Sequence, residues 1–234
     1  MQIGLSADKS FAYLLGVYLG DGCVTRANPR SEKLCFRLNT IDADFAEATK
    51  AALENWATRP VSISKHSVKK STKPNHSLYC GDDIFSRGLM HLTAAKQKIP
   101  MYLWDGDASR EEKLEFIAGL MDSEGFVAAN KNPTNRRYYM GYKSCDPWVP
   151  EFIKILESVG IRIGKVQTEK PLKPGYKAPM RFTIKMQSWV DSGARFNIAR
   201  KQNRVDEWAS APPYTRRARY PRRLISETNT PDAP

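Results

Sequence analysis

One motif occurs twice in this chain of 234 residues, and the two copies set the architecture. Leu14-Leu15-Gly16-Val17-Tyr18-Leu19-Gly20-Asp21-Gly22 ends in a carboxylate followed by glycine. Ile117-Ala118-Gly119-Leu120-Met121-Asp122-Ser123-Glu124-Gly125 does the same 103 residues later. Each is an apolar run with a small residue at its centre. A helix of that composition delivers one acid from its C-terminal tip, and two such helices packed together bring two acids to one point. Carboxylates held that close take up hard divalent cations, and divalent cations promote phosphodiester hydrolysis.

The copies head a longer repeat. After each acid come two strand-like runs, Cys23–Asn28 with Lys33–Thr40 and Phe126–Lys131 with Arg136–Ser144, separated by turn formers at 28–31 and 132–135. Asp42 is expected to cap a following helix whose apolar face is Phe45, Ala48, Thr49, Ala52, Leu53 and Trp56. Asp146 is expected to cap its counterpart, with Pro147 at the first helical position and Val149, Phe152, Ile153, Leu156 and Val159 behind it. Asp42 and Asp146 are 104 apart, as are Phe45 and Val149. Two more strands follow in each half, Pro60–His66 with Ser77–Gly81 and Ile161–Gln167 with Ala178–Gln187. Closing helices lie near Asp83–Ala95 and Ser188–Ala209, and Lys96-Gln97 and Lys201-Gln202 keep a spacing of 105. The pattern predicts an α+β protein of two halves, 1–98 and 109–210, each ordered helix–strand–strand–helix–strand–strand–helix. A linker at 99–108 joins them, Ser109 and Glu112 form a capping box, and 211–234 is a basic tail expected to be disordered.

The formal charge of +12 is the footprint of a polyanion partner. The tail, with five Arg and two acids, supplies +3, so the folded body carries +9. Cys23, Cys35, Cys80 and Cys145 form no CxxC pair and read as small buried residues in a reducing, intracellular compartment. No apolar run reaches the length of a membrane span, and Met1–Ser10 is no signal peptide. Alternation sets the strand faces: Leu34, Phe36 and Leu38 oppose Lys33, Cys35, Arg37 and Asn39. Likewise Tyr138, Met140 and Tyr142 oppose Arg137, Tyr139, Gly141 and Lys143, and Met180, Phe182, Ile184 and Met186 oppose Arg181, Thr183 and Lys185. One face packs on helices; the other is polar, basic and nearly free of acids, and a two-stranded ribbon of that kind fits the DNA major groove.

From Phe11 to Trp208 these residues resemble the LAGLIDADG homing endonucleases in their single-chain, two-motif form. The resemblance implies two αββαββα halves about a pseudo-twofold axis, with Gly16 and Gly119 at the helix interface and a β-saddle over DNA. It implies a monomeric site-specific endonuclease that cuts both strands of a long asymmetric double-stranded target and leaves short 3′ overhangs. Asp21 and Glu124 take the positions of the metal-binding acids, helped by the carbonyls of Gly20 and Ser123. The cofactor implied is Mg²⁺, as two or three divalent ions, with Ca²⁺ binding but not supporting efficient cleavage. Leu19 departs from the motif at its first acid, which is not a metal ligand. Lys96 and Lys201 match the family's basic residue near the scissile phosphates, and Thr40 and Ser144 sit where relatives place a polar, water-positioning residue.

The expected DNA contacts are Thr25, Arg26, Asn28, Arg30, Lys33, Arg37, Asn39, Ser64 and His66 in the first half. In the second they are Asn130, Arg137, Tyr139, Lys143, Lys165, Gln167, Arg181, Thr183 and Lys185. Basic loops carrying Lys69, Lys70 and Lys73, and Lys170, Lys173 and Lys177, are expected to track phosphates. The three histidines have no metal spacing, and Glu111-Glu112-Lys113 is explained by the helix dipole. Two alternatives share the scaffold: a maturase that binds intron RNA, and a DNA-binding regulator with a dead site. With Met1 just before the first helix, a free-standing or intron-encoded protein is expected rather than an intein insert.

Overall fold

The computed structural model describes residues 7–67, 74–130, 137–171, 173, 175 and 177–211. The turn at 132–135, Lys69, Lys70, Lys73 and the tail arginines 216, 217, 219, 222 and 223 lie outside the described residues.

Two helices form the central axis: α1 (Ala7–Leu19) and α4 (Arg110–Ser123). They touch backbone to backbone. A Cβ at Gly16 would fall on the Phe116 carbonyl and 2.7 Å from Leu120 N; one at Gly119 would fall on the Tyr13 carbonyl and 3.0 Å from Val17 N. The small residues are therefore required by the packing. The expected capping box forms at the start of α4, with Ser109 Oγ accepting from Glu112 N at 3.2 Å.

Each half adds one four-stranded antiparallel sheet. The first comprises β1 (Cys23–Arg26), β2 (Leu34–Thr40), β3 (Val61–His66) and β4 (Asn75–Cys80) in the order β1-β2-β4-β3. The second comprises β5 (Gly125–Ala129), β6 (Tyr138–Ser144), β7 (Gln167–Thr168) and β8 (Met180–Ile184) in the matching order β5-β6-β8-β7. Helices α2 (Ala43–Glu54) and α3 (Asp83–Leu92) pack on the first sheet. α5 (Val149–Ser158), α6 (Met186–Asp191) and α7 (Ala199–Ser210) complete the second half. Phe36 and Leu38 are buried with Phe45 and Leu53 of α2; Met140, Tyr142 and Phe182 are buried with Phe152 of α5, the Tyr142 and Phe152 rings 4.9 Å apart.

Several expectations need correction. Asp42 stands at the N-cap position of α2 without a capping bond; its carboxylate is taken by Arg200, with Nε and Nη2 donating at 2.7 and 2.8 Å. α5 begins at Val149 rather than Pro147, because Pro147 and Trp148 form a turn and Trp148 is the N-cap. The run Ile161–Gln167 is not one strand: only Gln167–Thr168 pairs, and Ile163 makes an isolated bridge to Ile184. β8 stops at Ile184, and Lys185 becomes the N-cap of α6. The second closing helix is split into α6 and α7 by a connection over 192–198. Part of the expected linker is structural, since Ile99, Leu103 and Ala108 are buried. Among the cysteines, Cys145 is exposed and Cys23 only half-buried.

Candidate nuclease centre and nucleic-acid interface

The chain turns sharply after each motif helix, so Asp21 and Glu124 project from the same end of the α1–α4 pair. The helix tips are in contact: a Cβ at Gly20 would fall on Ser123 Cβ and 3.5 Å from Glu124 Cγ. Burial raises the pKa of both acids. Asp21 further raises that of Glu124, and Lys96 and Lys201 oppose the shift in each. Among the described residues, neither carboxylate receives a hydrogen bond. Two carboxylates without hydrogen-bond donors beside the Gly20 and Ser123 carbonyls are a hard-oxygen donor set that suits a divalent cation. No cluster of three or more His, Cys, Asp or Glu able to hold a metal occurs among the described residues.

Each motif terminus is flanked by one lysine, but the two are held differently. Lys96 follows α3 in a left-handed turn, with φ of 46, 52 and 71° at Ala94, Ala95 and Lys96. Three non-glycine residues in that region cost energy that surrounding contacts must offset. Thr93 Oγ1 accepts from Lys96 N at 3.2 Å, and Trp148 Nε1 of the opposite half donates to Lys96 O at 3.1 Å. The result aims Nζ at Gly20 O (2.5 Å) and Gly22 O (3.2 Å). Lys201, in the first turn of α7, is 3 % exposed and donates to Met121 O at 2.8 Å and Asp122 O at 2.6 Å. Burial lowers the pKa of both lysines, that of Lys201 to about 8.

Sequence reasoning missed the two acids that flank this centre, Asp146 and Asp42. Asp146 was read only as a cap. Its backbone N donates to Ser144 Oγ at 3.1 Å, its carboxylate accepts from the same hydroxyl, and its charge acts on Lys96 and Glu124. Its counterpart Asp42 pairs with Arg200, and its charge acts in the same way on Asp21 and Lys201. The 104-residue register that pairs these two acids was the available signal. Thr40 is half-buried and its hydroxyl accepts from Asp42 N at 3.1 Å. Tyr142 Oη is buried without a hydrogen-bond partner among the described residues; burial raises its pKa, and the Glu124 and Asp146 charges add to the shift.

The outer sheet faces continue from this centre. In the first half the cross-strand rows are Cys23–Arg37–Tyr79–Ser62 and Asn39–Ser77–Ser64. Thr25, Arg26, Asn28, Arg30, Lys33, Asn39, Ser64 and His66 are exposed. Arg37 is half-buried and braced: Nη2 donates to Ala27 O at 3.3 Å, Nε donates to Cys35 Sγ at 3.4 Å, and the guanidinium lies 5.5 Å from the Tyr79 ring. Tyr79 itself was missed, although it alternates with buried Leu78 and Cys80. In the second half the rows are Phe126–Gly141–Thr183 and Lys143–Arg181–Gln167. Tyr139, Lys143, Lys165, Gln167, Arg181, Thr183 and Lys185 are exposed, while Asn130 and Arg137 are half-buried and paired through Asn130 Oδ1 and Arg137 N at 2.9 Å. The face is not free of acids: Glu169 bridges Lys143 and Arg181.

No protein-family profile matches the chain. It is 26 % identical over 137 residues to an uncharacterised protein of Methanocaldococcus jannaschii, a match covering 55 % of this chain and 43 % of that protein. The chain thus aligns with less than half the length of this relative. Among solved structures, the homing endonuclease I-WcaI bound to its DNA recognition sequence superposes with a TM-score of 0.55 at 11 % identity, over 86 % of this chain and 87 % of that one. Mesophilic variants of the homing endonuclease I-DmoI give 0.54 at 14 % identity, over 82 % and 96 %. The N-terminal LAGLIDADG domain of WhiA gives 0.51 at 13 % identity, over 80 % and 81 %. With its two matched halves, its paired motif helices and these superpositions, the chain has the LAGLIDADG homing endonuclease fold.

Proposed function

We propose that the chain is a site-specific, Mg²⁺-dependent endonuclease that cuts both strands of a long, non-palindromic DNA duplex as a monomer. The observation that carries this is the convergence of two carboxylates without hydrogen-bond donors, Asp21 and Glu124, at the tips of helices packed backbone to backbone. The solved I-DmoI structures in complex with DNA and Mn or Ca support a divalent-ion and duplex reading. A divalent ion held there supplies Lewis-acid polarisation of a phosphate and lowers the pKa of water. Asp21 and Glu124, with the Gly20 and Ser123 carbonyls, would hold it. Lys96 offers an ammonium beside the Gly20 carbonyl to stabilise charge developing on the phosphate. Lys201 fixes the end of α4 and with it the aim of Glu124. The outer sheet rows read the groove on either side, and the different residues in equivalent rows, Arg37 against Gly141 and Asn39 against Lys143, suit an asymmetric target.

The test is cleavage of the uninterrupted duplex that spans the gene's insertion point. Cutting in Mg²⁺ with short 3′ overhangs, lost in Asp21→Asn and Glu124→Gln while binding in Ca²⁺ survives, is the expected result. Specific binding without cleavage by the wild-type chain in Mg²⁺ or Mn²⁺ would instead make it a DNA-binding protein on this fold, and preferential binding of intron RNA would make it a splicing cofactor.

A further inference from the structure

The outer face of the second sheet carries an acid among its cations. Glu169 follows β7, and its backbone N donates to Pro179 O at 2.9 Å, which holds it beside β8. Its carboxylate accepts from Lys143 Nζ at 2.5 Å and from Arg181 Nη1 at 3.4 Å. Lys143 on β6 and Arg181 on β8 are direct cross-strand partners, like charges that repel at this spacing unless an acid lies between them. The Arg181 guanidinium also lies 5.5 Å from the Phe126 ring centroid. The three side chains are 31–47 % exposed, so the cluster is presented to solvent rather than folded into the core. The equivalent row of the first half, Asn39–Ser77–Ser64, is uncharged. For a surface that binds phosphate by charge alone, an acid here is a liability. What it contributes is orientation: two long, flexible cations are held side by side.

We propose that Glu169 is a specificity-determining residue of the second half, holding Lys143 and Arg181 as readers of base edges and withholding them from phosphates. The inference rests on the reading of the sheet face as the DNA surface. Without the acid both cations reach phosphates of any sequence, so Glu169 trades general affinity for discrimination.

The experiment compares the wild type, Glu169→Gln, Glu169→Ala and Glu47→Ala, the last making the same change of charge at an exposed position on α2. Binding to a random-sequence duplex is measured across a salt series in Ca²⁺, and preferred sites are selected from a randomised duplex pool. The Glu169 variants should bind random duplex several-fold more tightly at low salt. Their slope of log K against log salt should steepen by about 1–2, one step per phosphate gained. Their selected pools should lose preference at one or two adjacent base pairs on one arm, and Glu47→Ala should do neither. An unchanged slope and pool in both Glu169 variants, or equal effects from Glu47→Ala, overturns the inference while leaving the DNA reading intact. A wild type that binds no duplex removes the DNA reading and this inference with it.

Discussion

Trp148 of the second half donates from Nε1 to the carbonyl of Lys96 in the first, at 3.1 Å. Lys96 is the last of three consecutive residues with positive φ, so this bond helps hold an unfavourable backbone in place. Trp148→Phe keeps an aromatic ring, removes the donor and leaves a small cavity where the larger indole was buried. A part-buried carbonyl left without that partner costs at most about 1–3 kcal/mol. Melting should show a modest loss, whereas the single-turnover cleavage rate on the cognate duplex should fall more than DNA affinity does, because Nζ loses its aim at Gly20 O. Equal losses in rate and affinity would mean that Trp148 supports the fold alone.

The helix interface makes a contrast within one residue type. At Gly16 and Gly119 an added Cβ collides with opposing backbone, whereas at Gly88 of α3 it meets nothing within 4 Å. Gly16→Ala and Gly119→Ala should each destabilise by at least about 1–3 kcal/mol, since backbone cannot move aside as a side chain can. Gly88→Ala should stabilise by about 0.5–1 kcal/mol through the higher helix propensity of alanine. Denaturant melts of the three variants check both signs.

Asp122 gives a pH dependence. It is 2 % exposed and accepts from Tyr13 Oη at 3.2 Å and from the backbone N of Asn197 and Ile198 at 3.1–3.3 Å. Burial is the largest influence and pushes its pKa up to about 6, against these donors and Lys201. The folded state therefore holds the proton more tightly than the unfolded chain, whose carboxyl titrates near 4. The contribution to stability is greatest below about pH 4 and is lost as pH rises through about 6, a change of about 3 kcal/mol. The stability of the wild type minus that of Asp122→Asn should rise by that amount on going from pH 7 to pH 4, read by chemical denaturation at each pH. A flat difference would show that folding leaves the Asp122 pKa unshifted.

What could be read from the chain alone divides along physical lines. The motif helices, the strand faces and the order of elements were legible because they rest on short-range periodicity and on comparison of two copies. Phe36, Leu38, Tyr142 and Phe182 are buried as the alternation implied, while Arg181 and Lys143 are exposed. The errors fall where a tertiary partner overrode a local rule. Asp42 has the sequence of a helix cap, but Arg200, 158 residues away, takes its carboxylate. Asp44, which local rules place only in the first turn of α2, accepts from the backbone N of Ala199 at the start of α7. The break between α6 and α7 was hidden because Asp122, an acid inside an apolar motif, holds the backbone of Asn197 and Ile198. Glu169 was overlooked because it lies just beyond the expected strand end.

Lys96 and Lys201 were read as equivalents on their spacing of 105 residues, and the geometry separates them. Lys96 is half-buried and touches the Gly20 and Gly22 carbonyls at the end of the first motif. Lys201 is buried and serves the Met121 and Asp122 carbonyls one turn inside the second. Lys96→Met should leave the melting temperature nearly unchanged and slow cleavage, by a hundredfold if its ammonium stabilises a developing charge worth about 3 kcal/mol. Lys201→Met removes the donor to two buried helix-end carbonyls and should cost about 1–3 kcal/mol for each one left unsatisfied. That substitution should lower stability first and affect cleavage through the placement of Glu124. Arginine separates the roles further: Lys96→Arg can return a cation to the half-exposed site and should recover part of the rate, whereas Lys201→Arg must fit a larger planar group into a filled cavity and should destabilise further. Melting curves and single-turnover rates on one duplex, taken for all four variants, decide it. Matching profiles at the two positions would restore their equivalence and make the difference in burial irrelevant to their roles.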